Sequence, residues 1–130
     1  MHDWQKKYQS RVTTPEQAVS KVRSGQRVFI GSGAANVAIS RLIFAYGADP
    51  AKCRIVDSKG ILHKGRSDVE AVKDEWVDKW KYCNITNAEG RTGSIADALK
   101  GAHVCIALSK QGPDTIMPEW IKGMAHDPVV

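Results

Sequence analysis

Residues 27–57 read RVFIGSGAANVAISRLIFAYGADPAKCRIVD: a short apolar strand, a glycine turn, a helix, a second strand and an acid. No other stretch of the chain limits its possible folds as tightly. Residues 27–30 form a β-branched and apolar run of the kind buried on both faces in a parallel sheet. Gly31-Ser32-Gly33 then turns the chain and, lacking two Cβ atoms, lets backbone N–H groups approach a bound pyrophosphate. The pattern predicts a helix over about 35–46, with its positive N-terminal end aimed at that phosphate. A second strand is expected over 53–56. Asp57 stands at its carboxyl end, near the ~20-residue spacing at which a carboxylate meets ribose hydroxyls. This order is the layout of a dinucleotide-binding βαβ unit. Asn36 occupies the third glycine position, where a small residue normally allows the helix to pack closely on the strand.

The bulk numbers agree with one ordinary domain. The chain has 130 residues, 42% of them hydrophobic and 25% charged, enough to bury about two thirds of its unfolded surface. No apolar run approaches the ~20 residues that span a bilayer, and the amino terminus has no apolar signal region. Cys53, Cys83 and Cys105 are odd in number and lack CxxC spacing, which points to reduced thiols in a cytoplasm. A net charge of +5 is carried by scattered residues, which suits attraction of an anionic nucleotide better than a nucleic-acid interface.

Outside the fingerprint, Thr14, Pro15 and Gln17 form a capped helix start, with Ser24-Gly25 as its expected end. Residues 58–66 are polar and glycine-punctuated, as in a small hairpin over a sheet edge. Val69, Val72, Trp76, Trp80 and Cys83 recur at helical spacing and predict one amphipathic helix over 68–83. Ser94 caps a short helix that ends before Gly101. A third parallel strand is expected over 103–108, a helix over 118–124, and the opening of another strand at Pro128-Val129-Val130. The fold class is therefore α/β: a Rossmann-like open parallel sheet of about four strands, flanked by helices and with an incomplete second half.

Four ordered segments carry a family likeness: GSGAANVAISRL, IVDSKGILHKGR, EGRTGSIADALKGAHVCIALS and MPEWIKGMAHDPVV. On these, residues 31–130 resemble the NAD(P)-binding domain of malic enzymes. On DW, KY, SR, TPEQAV and RVFIGSGAA, residues 3–35 are similar instead to the opening of acetyl-CoA hydrolases and CoA-transferases. The two resemblances meet at GSGAA. They imply a joint there, between an N-terminal helical segment (1–26) and a truncated dinucleotide-binding domain (27–130).

The malic-enzyme resemblance implies NAD or NADP as cofactor. It places Gly31, Ser32, Gly33, Ala34 and Ala35 on the pyrophosphate turn. Asp57 falls on the adenosine-ribose acid, with Ser58 and Lys59 beside it. Leu108 and Ser109 fall where the family's chain passes the nucleotide. The family's metal-binding carboxylates and its catalytic tyrosine and lysine have no counterpart here, so neither catalytic nor metal residues are expected. Malate decarboxylation needs that metal and an acid–base pair.

Other readings stand beside these. Asp57 could pair with Lys59 or Arg66 instead of ribose. Lys59 and Lys64 suit a 2′-phosphate, which Asp57 would repel. Arg66 and Arg91 are within sequence reach of phosphate. Trp76 and Trp80 read as packed helix-face residues or, if left uncovered, as an oligomer contact. Three functions compete: a stand-alone module binding a nicotinamide dinucleotide, a self-associating homo-oligomer built on an unpaired sheet edge, and a CoA-binding fragment.

Overall fold

The computed structural model describes residues 6–7, 9–11, 13–23, 25–108 and 115–130. Four strands make one sheet: β1 (Val28–Gly31), β2 (Cys53–Asp57), β3 (Gly60–Ile61) and β4 (Val104–Ile106), in the spatial order β3-β2-β1-β4. β1 lies between β2 and β4 and is parallel to both, with Ile30 opposite Ile55 and Ile106. The expected hairpin over the edge is β3, which runs antiparallel to β2, so the sheet is mixed and not wholly parallel. Beyond β4, Val129 forms a parallel bridge to Val104, the strand opening expected there.

Period-two alternation divides the strands between two cores. Val28, Ile30, Ile55 and Val104 face one layer, with Ile43, Leu62, Val69 and Tyr82. Phe29, Val56 and Cys105 face the other, with Ile61, Ala98, Leu99 and Met124. Burial on both faces is why these strands are continuously apolar. The first layer is covered by α2 (Ala34–Ala45) and α4 (Val77–Ile85), joined by Ser40 Oγ to the Tyr82 hydroxyl at 2.6 Å and by Arg41 to Asp78 at 2.7 Å. The second is covered by α5 (Ile95–Leu99) and α6 (Pro118–Lys122). Asn36 is fully buried under α2, and the helix runs unbroken past it, so the third-glycine position tolerates asparagine. Among the described residues no helix is long and apolar enough to cross a membrane.

Two helices differ from expectation. α1 (Pro15–Val19) has the Thr14–Gln17 capping box but gives way to turns after Val19, well before Gly25. The helix expected over 68–83 is broken into α3 (Ser67–Glu70), a run of turns, and α4. The break has an electrostatic consequence. Arg66 and Lys79 both reach the carboxylate of Asp57, at 2.9 Å and 3.4 Å. One straight helix would set their backbones roughly 20 Å apart along its axis. The chain folds back instead, through i→i+3 bonds such as Glu75 N–H to Val72 O at 3.0 Å. Trp80 stays half-buried on the core, but Trp76, at the break, is 40% exposed.

One core position is unexpected. Arg54, in the middle of an apolar strand, has a side chain only 2% exposed. Its guanidinium donates to the carbonyls of Ala98 (2.7 Å) and Lys100 (2.9 Å), where α5 ends, and to Glu89 at 3.1 Å. A cation at a helix carboxyl end is favourable. Glu89 also accepts from Arg27 at 3.0 Å and Arg91 at 2.9 Å.

The loop before α5 is held by two glycines. Gly60 has φ +117°, and a Cβ there would lie 2.4 Å from the Gly93 carbonyl oxygen, the atom that accepts the Ile61 N–H at 3.0 Å. Gly60→Ala therefore combines a left-handed backbone with a backbone clash. It is expected to lower stability by roughly 2–3 kcal/mol, read from the urea midpoint.

Candidate functional site

The carboxyl ends of β1, β2 and β4 open together, which in an open α/β sheet is where ligands lie. A cavity of about 530 Å³ sits there, and Gly31, Ser32, Asp57 and Ser58 line it on one side. Ile95, Ile116 and Trp120 give it an apolar opposite wall. Gly31 ends β1 and is buried. Gly33 is the N-cap of α2 with φ −68°, so its backbone is not a left-handed turn.

α2 has 12 residues and, among the described residues, no side-chain cap and no acid in its first turn, so the amides of Ala34 and Ala35 begin a helix with a positive end. Both alanines are exposed. The Ser32 amide is taken, donating to the Val56 carbonyl at 2.9 Å. An anion at this turn would meet the first amides of α2.

Asp57 is at the place expected of it, in different company. Its side chain is 6% exposed and its carboxylate accepts from Arg66 Nη1 (3.1 Å), Arg66 Nη2 (2.9 Å) and the Lys59 amide (2.9 Å). Lys79 Nζ lies 3.4 Å from Oδ2. Burial alone would raise the Asp57 pKa; the Arg66 hydrogen bonds, the Lys59 amide and the nearby cations outweigh it and hold the pKa below the usual carboxylate value. Arg66 is locked in turn by Asp68 at 2.7 Å, and Lys59 Nζ lies 3.3 Å from the same acid. Of the two pairings weighed for Asp57, Arg66 gives the side-chain pair and Lys59 contributes only its amide.

The remaining candidates are less concentrated. Ser58 lines the cavity, and with Asp57 it also lines a neighbouring one that holds Lys59, His63 and Arg66. Leu108 follows β4 and is 59% exposed, but it lines an apolar groove with Val22, Ile39 and Val129; Ala107 takes the place facing Asp57. Ser109 lies outside the described residues. Arg91 does not approach the glycine turn. Its guanidinium pairs with Glu89 beside Arg27, which precedes β1 and so lies at the opposite end of the sheet. Sequence reasoning missed Lys79 and Trp76 as neighbours of the site, because the break before α4 brings them there. Among the described residues, no group of three or more His, Cys, Asp or Glu side chains could hold a metal ion.

Glu89 gives the ion pairs a pH signature. Hydrogen bonds from Arg27, opposed by burial and reinforced by Arg54, bring its pKa from 4.5 down to about 2. A carboxylate whose pKa is depressed on folding stabilises the fold above its unfolded value and loses that contribution as pH falls. Stability is expected to hold down to about pH 4.5 and to fall from there toward pH 2, with Asp57 adding to the lower part. Glu89→Gln should flatten part of that slope in urea midpoints measured across the window.

No protein-family model matches the chain. Curated malic enzymes do. The NADP-dependent malic enzyme of Halomonas elongata is 34% identical over 113 residues, covering 87% of this chain and 24% of that enzyme. The NAD-dependent malic enzyme of Geobacillus stearothermophilus is 32% identical over 103 residues, or 79% of this chain and 20% of that one. Among solved structures, the malic enzyme of Entamoeba histolytica superposes with a TM-score of 0.77 at 44% identity, covering 88% of this chain and 23% of the other. The chain thus spans about a quarter or less of the length of these relatives. The Halomonas match is longer than residues 31–130, so it continues upstream through the GSGAA turn where a joint was expected. The likeness of residues 3–35 to acetyl-CoA hydrolases finds no support in these matches. In sequence and in fold, the chain is homologous to the NAD(P)-binding region of malic enzymes.

Proposed function

We propose that this chain is a nucleotide-binding module that takes NAD or NADP across the carboxyl ends of β1 and β2. The observation that carries the reading is the 530 Å³ cavity, which brings Gly31, Ser32, Asp57 and Ser58 together beside the uncapped start of α2. The pyrophosphate would lie against the Gly31-Ser32-Gly33 turn and the Ala34 and Ala35 amides. The adenosine would lie between the β2 end and the Ile95–Trp120 wall, where apolar side chains suit its faces. Malic enzymes that depend on NADP and on NAD are both among the relatives, which supports this cofactor class for the chain. When bound, the cofactor supplies hydride transfer; the residues named here bind and orient it.

Binding is the part of malic-enzyme chemistry that these residues support. A thermal-shift titration tests the binding reading. Ligand at ~100 times its Kd adds ~2.7 kcal/mol to native stability, so NADPH or NADH should raise Tm by roughly 10 °C. A flat Tm with both would overturn it.

The apolar groove along β4, lined by Val22, Ile39, Val104, Ile106 and Val129, favours a second reading, self-association through that face. Light scattering that shows a monomer at high concentration would exclude it.

A further inference from the structure

We infer that Arg27 and Arg91 form a second anion site, at the opposite end of the sheet from the glycine turn, and that it takes a phosphate dianion. The inference does not depend on nucleotide binding. Three arginines meet one acid there. Glu89 Oε1 accepts from Arg27 Nε at 3.0 Å, and Oε2 accepts from Arg54 Nη2 at 3.1 Å and Arg91 Nε at 2.9 Å. One negative charge therefore faces three positive ones. The buried Arg54 offsets Glu89, which leaves the charges of Arg27 and Arg91 without a counterpart among the described residues. Burial first, and then the charge of Arg91, pushes the Arg54 pKa down, as expected where cations crowd.

Both outer arginines engage Glu89 through Nε, and among the described residues their terminal nitrogens have no other partner. Each guanidinium thus keeps its two NH₂ groups for an oxyanion. They sit on the two oxygens of one carboxylate, with side chains 43% and 40% exposed. The platform beneath them is fixed. Arg54 is 2% exposed and donates to the Ala98 and Lys100 carbonyls at 2.7 Å and 2.9 Å. The segment that carries Glu89 is pinned by the Asn87 amide to the Cys53 carbonyl and the Ala88 amide to the Ala51 carbonyl, both at 2.8 Å. Exposed Lys52 lies between those two anchors in the chain. Asp49, the next acid along that segment, accepts from the Ala51 amide at 3.0 Å. Two adjacent forks with two uncompensated charges suit a ligand with two charges and several oxygens, which is a phosphate group. A single carboxylate would leave one of the charges unmet.

Titration of the whole chain with inorganic phosphate and with methyl phosphate, at constant ionic strength, tests this through the arginine Nε–H resonances in proton–nitrogen spectra. Those of Arg27 and Arg91 should shift saturably, and binding should strengthen as pH rises through about 6, where the second phosphate proton leaves. A response to both ligands admits a phosphate monoester to the site; a response to inorganic phosphate alone limits it to the free ion. Arg27→Gln and Arg91→Gln should each weaken binding roughly tenfold or more, and Arg91→Lys should weaken it less. Unmoved arginine resonances overturn the inference. So do shifts confined to the amides of residues 31–35, or an unchanged affinity in both glutamine variants once each is shown to be folded.

Discussion

Replacing Arg54 with alanine is expected to destabilise the fold by roughly 3–5 kcal/mol and to lower Tm by about 10–20 °C. The side chain is 2% exposed and its hydrogen bonds reach two carbonyls that end α5, at Ala98 and Lys100. Truncation leaves both carbonyls without their donor in a water-poor layer, at about 1–3 kcal/mol each. It also opens a void between Phe29, Val56 and Leu99. Glu89 keeps Arg27 and Arg91, so the loss is concentrated on α5 and its junction with the sheet. Against a total stability of 5–15 kcal/mol for a typical domain, one such substitution decides whether the chain stays folded at 37 °C. Arg54→Lys should recover little, because an ammonium cannot span two carbonyls and a carboxylate in the geometry of a planar guanidinium. Thermal and urea unfolding of the two variants check this; a loss of less than about 1 kcal/mol for Arg54→Ala would show the network to be dispensable.

The second large effect is on binding. Gly33→Val should reduce NADPH and NADH affinity by roughly a hundredfold or more, since an isopropyl group would occupy the space where the pyrophosphate meets the amides of α2. The fold should tolerate it. Gly33 has φ −68° and ψ 163°, an extended conformation open to valine, and it stands at an N-cap, where the change costs about 1 kcal/mol. Large loss of affinity with small loss of stability is the signature of a residue kept for its missing side chain. Affinity equal to wild type would place the pyrophosphate elsewhere.

Much of the fold is legible in the sequence for a simple reason: the three parallel strands are buried on both faces and therefore carry unbroken apolar runs between turn signals. The capping residues at Thr14 and Ser94 also announce their helices, as the Asp97 carboxylate accepting from the Ser94 amide and hydroxyl illustrates. Periodicity fails over 68–83. The apolar residues keep helical spacing through a tight run of turns, and nothing local reveals that Arg66 and Lys79 converge on one carboxylate from a distant strand. Arg54 was detectable in principle. A lone arginine inside the run CRIV demands a buried partner, but only the fold shows that two carbonyls and Glu89 provide it.

For the candidate site, the glycine turn and Asp57 fall where the pattern sets them, whereas Leu108 and Lys59 line neighbouring cavities. Spacing along a chain fixes which end of the sheet a residue reaches, not which wall it lines. Asp57 accepts from Arg66 in the structure, the alternative pairing that its sequence neighbours already offered.

The most direct test is a calorimetric titration of NADPH into the purified chain at low salt. The proposed nucleotide-binding function predicts saturable one-to-one binding, lost in Gly33→Val. No saturable heat with either NADPH or NADH, from protein shown to be folded, would contradict the assignment of the β1–β2 cavity as a nucleotide site.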